Sequence, residues 1–288
     1  MRNWPPRLAA ILLAALSLPS ATAQVAGAHQ GLFLGFSNLG STAANVRFTL
    51  LDAAGATLAG IPQNPVSVVL APQAQEAYEL GSLFTLPEPG VEDCALRMES
   101  DSASLESYFM RGQADYSSLD GAFTGARPGE AVFLVPGVMA NHPAGATRVN
   151  VAASGPENAR VQMTVYDREG VLAGSLEVEI PAGASRSMDL AAALAKTGQS
   201  LEEGHLRLLS DQSVTVESST AWPGVAIQNP ILDSDNLSGE LWAPHFATGA
   251  GAWETSLHLV NLSAEPEDVQ VHLLDEAGHT YASTLKAN

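Results

Sequence analysis

Asp233, Asp235 and Glu240 stand at the first, third and eighth positions of the run Asp233-Ser234-Asp235-Asn236-Leu237-Ser238-Gly239-Glu240. Carboxylate oxygens gathered in this way are ligands for a hard cation, so calcium is the candidate cofactor. The run is not an EF-hand loop, which places Gly at its sixth position and Glu at its twelfth. The competing reading is a solvated linker, favoured because the matching segment around Asp120 is less acidic. Trp253 is the candidate ligand-binding residue. It follows the Gly249-Ala250-Gly251 loop, where an aromatic face could stack on a sugar ring, and its plainer role is to cover a sheet edge. His258 and His272 fall on consecutive predicted strands and could be cross-strand neighbours, with His279 nearby. Two ligands are too few for a metal centre, so solvent-facing strand histidines are the better reading. Cys94, the single cysteine, reads as a small buried hydrophobe. There is no Gly-x-Ser-x-Gly elbow, His-Glu-x-x-His pair, P-loop or dinucleotide fingerprint. With 31 acidic residues, carboxylate spacing nominates no glycosidase pair. The expectation is a chain without catalysis.

The elements that would position these residues repeat. Asp52-Ala53-Ala54-Gly55, Asp167-Arg168-Glu169-Gly170 and Asp275-Glu276-Ala277-Gly278 are one Asp-x-x-Gly turn, each after a strand-like run. The turns recur about every 110 residues, the length of a small sandwich domain. Leu96-Arg97-Met98-Glu99-Ser100-Asp101 matches Leu206-Arg207-Leu208-Leu209-Ser210-Asp211 in the same order within its copy. Asn38 and Asn261 stand at the same distance before their turns. Val161, Met163 and Val165 alternate with Gln162, Thr164 and Tyr166, and Val214 and Val216 alternate with Thr215 and Glu217. Such alternation predicts antiparallel sheets with one buried face. Seven strands per copy, packed as two sheets, are expected, with short helical turns at 81–84 and 191–196. The fold class is all-β: tandem sandwiches, two complete and one partial. The boundaries read as 24–113 for the first sandwich, 114–131 for a linker, 132–224 for the second, 225–240 for an acidic linker and 241–288 for a partial third. A unit as short as the last buries too little surface to be secure alone.

Residues 1–23 read as a signal peptide. Arg2 and Arg7 precede an apolar run from Leu8 to Leu18, and Ala21-Thr22-Ala23 fits a cleavage site. That run is shorter than the ~20 residues a spanning helix needs, so the mature chain is expected to carry no transmembrane helix. Export then places the protein in the periplasm, at the cell surface or outside the cell. One cysteine supplies no disulfide framework, so each domain must stand on its apolar core. The formal charge is −18, and loss of Arg2 and Arg7 brings it to −20. A surface of that sign repels phosphate backbones, which excludes nucleic acid as a natural partner.

The stretch from Leu241 to Ser263, with His245-Phe246-Ala247, Gly249-Ala250-Gly251, Trp253-Glu254-Thr255 and Asn261, resembles a module of exported bacterial proteins with tandem immunoglobulin-like β-sandwich repeats. Ile180 to Leu190 is similar to a later strand of such modules, whereas the first copy lacks the His-Phe and Trp-x-Thr elements. The resemblance implies a surface or secreted sandwich protein and carries no catalytic residues. The expected role is a spacer, adhesin-like or envelope-associated interaction module, meeting a protein or glycan at the cell surface. The alternative is a carbohydrate-binding accessory protein of a secreted enzyme system.

Overall fold

The computed structural model describes residues 21–28, 31–87, 90–112, 119–122, 125–127, 131–143, 145–194, 201–222, 225–229, 231–233, 257–263, 265–274 and 279–287. Almost every element is a strand. The first copy runs β1 (Ala21–Ala28), β2 (Leu32–Asn38), β3 (Ala44–Asp52), β4 (Val66–Leu70), β5 (Gln75–Glu79), the single turn α1 (Leu80–Leu83), β6 (Val91–Ser100) and β7 (Leu105–Gly112). Next come β8 (Leu119–Ala122) and β9 (Gly125–Arg127). The second copy repeats the series as β10 (Ala131–Ala140), β11 (Ala146–Ala153), β12 (Ala159–Asp167), β13 (Leu172–Ile180), β14 (Ser185–Asp189), α2 (Leu190–Leu194), β15 (Leu201–Ser210) and β16 (Val214–Trp222). After it stand β17 (Val225–Gln228) and β18 (Leu232–Asp233), then β19 (Glu267–Leu274) and β20 (Thr280–Ala287) of the third unit.

Pairing is the same in both complete copies. One sheet has the order β1-β6-β3-β4, and its counterpart is β13-β12-β15-β10-β18. The other has β5-β2-β7-β8, and its counterpart is β14-β11-β16-β17, with β9 also on β16. Strands three and four of each copy form a hairpin, while the other links pass between the two antiparallel sheets, whose apolar residues share one cluster in each copy. The neighbours second-with-fifth and third-with-sixth are those of an immunoglobulin sandwich. The first, fourth and seventh strands lie on the sheet opposite to their immunoglobulin places.

Alternation accounts for the cores. In the first copy Phe36 of β2 and Phe48 of β3 are fully buried and meet across the sheets with ring centroids 5.4 Å apart. In the second copy Val161, Met163 and Val165 of β12 face inward with Leu206 and Leu208 of β15. The expected polar face of β16 differs. Thr215 and Glu217 are buried at 2% and 3% exposure on an inner strand of its sheet, and β16 also comes close to β1 of the first copy. The turn residues behave as their types require. Asp52 Oδ1 accepts from the Ala54 and Ala56 amides, each at 2.9 Å, and Gly55 N–H donates to the Asp52 carbonyl at 3.0 Å. Asp167 repeats this with the amides of Glu169 and Val171 at 3.0 and 2.8 Å. Gly55 and Gly170 take φ of +84° and +78°, a region that Gly enters without steric cost. Residues 275–278, the third such turn, lie outside the described residues.

The two segments read as linkers carry strands. β8 adds to the edge of β7, and β17 adds to the edge of β16. β9, upstream of the second copy, also joins β16. The seventh strand of each copy leaves an open row of backbone groups, and the chain that follows it is the nearest source of partners. Ala21–Ala23, the end of the expected leader, lie in β1 opposite Met98, Glu99 and Ser100 of β6.

Candidate functional site

Among the described residues, the third unit leaves Leu257, Leu262, Leu273, Tyr281 and Leu285 exposed. Among its described residues the one ladder is that of β19 with β20, in which Val269 faces Leu285, Val271 faces Ser283 and Leu273 faces Tyr281. This is the three–four hairpin of the complete copies, the pairing that needs only a tight turn between neighbours in sequence. In those copies the third strand has a second neighbour. β3 lies between β4 and β6, and β12 lies between β13 and β15. The inward positions that reach 0–1% exposure in β12 are less covered in β19: Leu273 is 42% exposed, and Leu285, across from Val269 on the same face, 43%. Leu257–Val260, the counterpart of β2 and β11, forms no ladder, and Leu257 is 59% exposed. In the complete copies that strand is flanked by the fifth and seventh, and neither has a counterpart among the described residues of the third unit.

Local structure in the third unit nevertheless follows the repeat. Asn261 Nδ2 donates to the Glu265 carbonyl at 2.8 Å, and its Oδ1 accepts from the Ser263 amide at 2.9 Å. Asn38 does the same with the Thr42 carbonyl at 2.7 Å and the Gly40 amide at 3.0 Å. Asn38 is fully buried and also reaches the carbonyls of Leu70 and Ala71, tying the second strand to the turn after the fourth. Asp101 and Asp211, at the end of the sixth strand, bind the first turn of the third strand. Asp101 accepts from the Asn45 amide at 2.8 Å, and Asp211 from the Arg160 amide at 2.7 Å. Hydrogen bonds from the side chain and amide of Asn45 hold the Asp101 carboxyl below the usual carboxylate range.

His258 does not join a ladder beside His272, as the strand alternation had suggested. It turns to the second copy, where its Nδ1 lies 3.3 Å from Glu203 Oε1. Its ring lies over Gly137, where a Cβ would come 3.0 Å from it. Gly137 has φ of +68° and sits at a register shift of β10 against β15. The Pro136-Gly137 pair inside a strand pattern is the sequence signal for such a bulge. Beside it, His205 stacks on Tyr166 with centroids 5.0 Å apart. Burial lowers the His205 pKa below 6.5, and the Asp167 carboxylate opposes that shift.

Of the candidate calcium ligands, Asp233 is the last residue of β18, with its backbone opposite Phe133 of β10. Asp235, Glu240 and the candidate ligand residue Trp253 lie outside the described residues. Among the described residues no group of three His, Cys, Asp or Glu side chains converges on a cation-sized site. Cys94 is 4% exposed in the first core, its Sγ donating to the Val91 carbonyl at 3.2 Å. Among the described residues no helix is long and apolar enough to cross a membrane.

No family model matches the chain, and no curated protein does. Among solved structures it is similar to a calcium-binding mutant of β-glucuronidase 2 from Bacteroides uniformis, at 10% identity and a TM-score of 0.17. The likeness covers 74% of this chain and 26% of that one, so the chain spans about a quarter of that protein's length. A TM-score of that size decides nothing about fold or activity.

Proposed function

We propose that the protein is a non-catalytic, exported interaction module of tandem immunoglobulin-like sandwiches, acting as a spacer or adhesin-like element at the cell envelope. The observation that carries this reading is the duplication itself. Both complete copies have the same strand order and the same Asp-x-x-Gly hydrogen bonds. A catalytic site is usually a single specialised cleft, whereas stacked similar units suit reach and repeated contact. The leader-like residues 1–23 support export, and the formal charge of −18 argues against nucleic acid as partner. The partner class is a protein or glycan of the cell surface. The test is binding of the purified chain to envelope fractions and to a glycan array, with Trp253→Ala as control. Retention by envelope protein, unchanged in that variant, is the expected result. Saturable glycan binding lost in Trp253→Ala would replace this reading with the carbohydrate-binding one.

A further inference from the structure

The bond at which the leader-like segment would be cut lies inside a paired strand. Ala21 to Ala26 of β1 stand opposite Ser100 to Ala95 of β6, residue for residue. The second copy shows that these positions belong to the fold. β10 meets β15 in the matching register, with Ala131 opposite Ser210 and Phe133 opposite Leu208. Ser100 and Ser210 hold the same place in the repeated sixth strand. Ala21 therefore stands where the second copy has Ala131, and Ala23 where it has Phe133. Phe133 is 1% exposed and part of the second core. A leader is removed from the mature protein, yet here its last three residues carry ladder pairs of the first sheet. β1 also comes close to β7 and β16, so releasing it disturbs more than β6.

We propose that the Ala23–Gln24 bond is a processing site for a leader peptidase, open only until the first copy folds. This goes beyond the interaction-module reading and rests on its export clause. A peptidase must take the residues on both sides of the bond into its own cleft, and a segment paired with β6 has to leave the sheet first. Cleavage of a folded chain then proceeds through the small fraction of molecules in which that strand has opened. The reaction is hydrolysis. The amide C–N bond breaks, the water oxygen goes to Ala23 as a carboxylate, and both water protons go to the Gln24 nitrogen, which becomes an ammonium. A chain cut before folding loses the partners of Met98, Glu99 and Ser100 on the β1 side of β6. A chain that folds first keeps those pairs and keeps the apolar run Leu8 to Leu18.

The test uses the whole 288-residue chain and a purified leader peptidase in detergent micelles, with products read by intact mass. In one arm the chain is synthesised with the enzyme present; in the other it is folded before the enzyme is added. The first arm is expected to give a product that begins at Gln24. The second should give the same product on the order of a hundredfold more slowly. Ala23→Leu, which puts a large residue before the bond, should abolish cleavage in both arms. Val25→Pro and Ala26→Pro each remove one backbone N–H. Successive residues of an antiparallel strand turn their N–H groups to opposite sides, so one of the two variants loses a bond to β6 and the other does not. The first should be cut about tenfold faster than the parent when folded, with exchange protection kept in β3 and β12, and the second at the rate of the parent. Equal rates in the two arms would overturn the proposal and leave the export reading standing. A product that begins at another residue would overturn the site. No cleavage in either arm would overturn the proposal together with the export reading.

Discussion

Single residues fix the turns of this protein, and their roles differ by what surrounds them. The Asp167 carboxylate holds two amides that would otherwise turn to water, at an exposed site. Asp167→Ala should therefore cost only about 1 kcal/mol, read as a shift in the urea midpoint. Gly35 is different: a Cβ there would lie 2.2 Å from the Tyr108 ring, against which β2 is packed. His205 supplies a pH dependence whose sign follows from burial. The fold holds its imidazole neutral, with a pKa below the ordinary 6.5. Above pH 6.5 the ring is neutral folded and unfolded, so it adds no slope. As pH falls below 6.5 the unfolded chain takes the proton first, and stability drops until the folded pKa is passed. His205→Gln should flatten that part of the stability–pH curve, whatever it does to the stability at neutral pH. A slope unchanged from that of the parent protein would refute the assignment.

At the level of elements, the contrast lies between strands with two neighbours and strands with one. β3 and β12 are inner strands over a filled core, whereas among the described residues β19 pairs with β20 alone. A lone hairpin is marginal in water. Amides of β19 and β20 should exchange on the order of a hundredfold faster than those of β3 and β12 under native conditions. Equal protection would show that something else in the chain covers them. Much of this was legible in the sequence. The hydrophobic alternation of β12, the short turns now seen as α1 and α2, and the matched Asn38 and Asn261 motifs all rest on local pattern, and local pattern is what a sequence displays. The strands within 114–131 and 225–240 were not legible. The first is rich in Gly, Ser and Asp and the second carries Pro230 and the Asp233-Ser234-Asp235-Asn236 run, and they form strands because an open edge on β7 or β16 offers them partners. The burial of Thr215 and Glu217 was hidden for the same reason, since the strands that flank β16 lie far away in sequence.

For the whole molecule the question is how the copies join. The third-to-fourth turn of the first copy approaches the turn between β13 and β14 in the second: a Cβ on Gly55 would lie 2.3 Å from the Gly183 carbonyl oxygen. Gly170 is the same turn position in the second copy, with a similar φ and open space around it. Alanine at either site brings the same backbone strain, about 1 kcal/mol. Only Gly55→Ala also forces the two copies apart. It should lower stability more than Gly170→Ala and change the spacing of the copies seen in small-angle scattering. Identical behaviour of the two variants would mean that the copies do not rest on this contact. The third unit meets the second through His258, Glu203 and Gly137, a smaller contact whose ion pair requires a protonated imidazole.

The sequence by itself determined the period of the repeat, the all-β class, the hairpin turns and the sign of the surface charge. Each depends on residues close together in the chain or on simple sums over it. The tertiary structure decided which strands are neighbours, which polar residues are buried on inner strands, and which segments between the copies add to their edges. Those outcomes depend on backbone groups finding partners across long separations, and the alternation of a strand says which face is apolar without saying what will cover it.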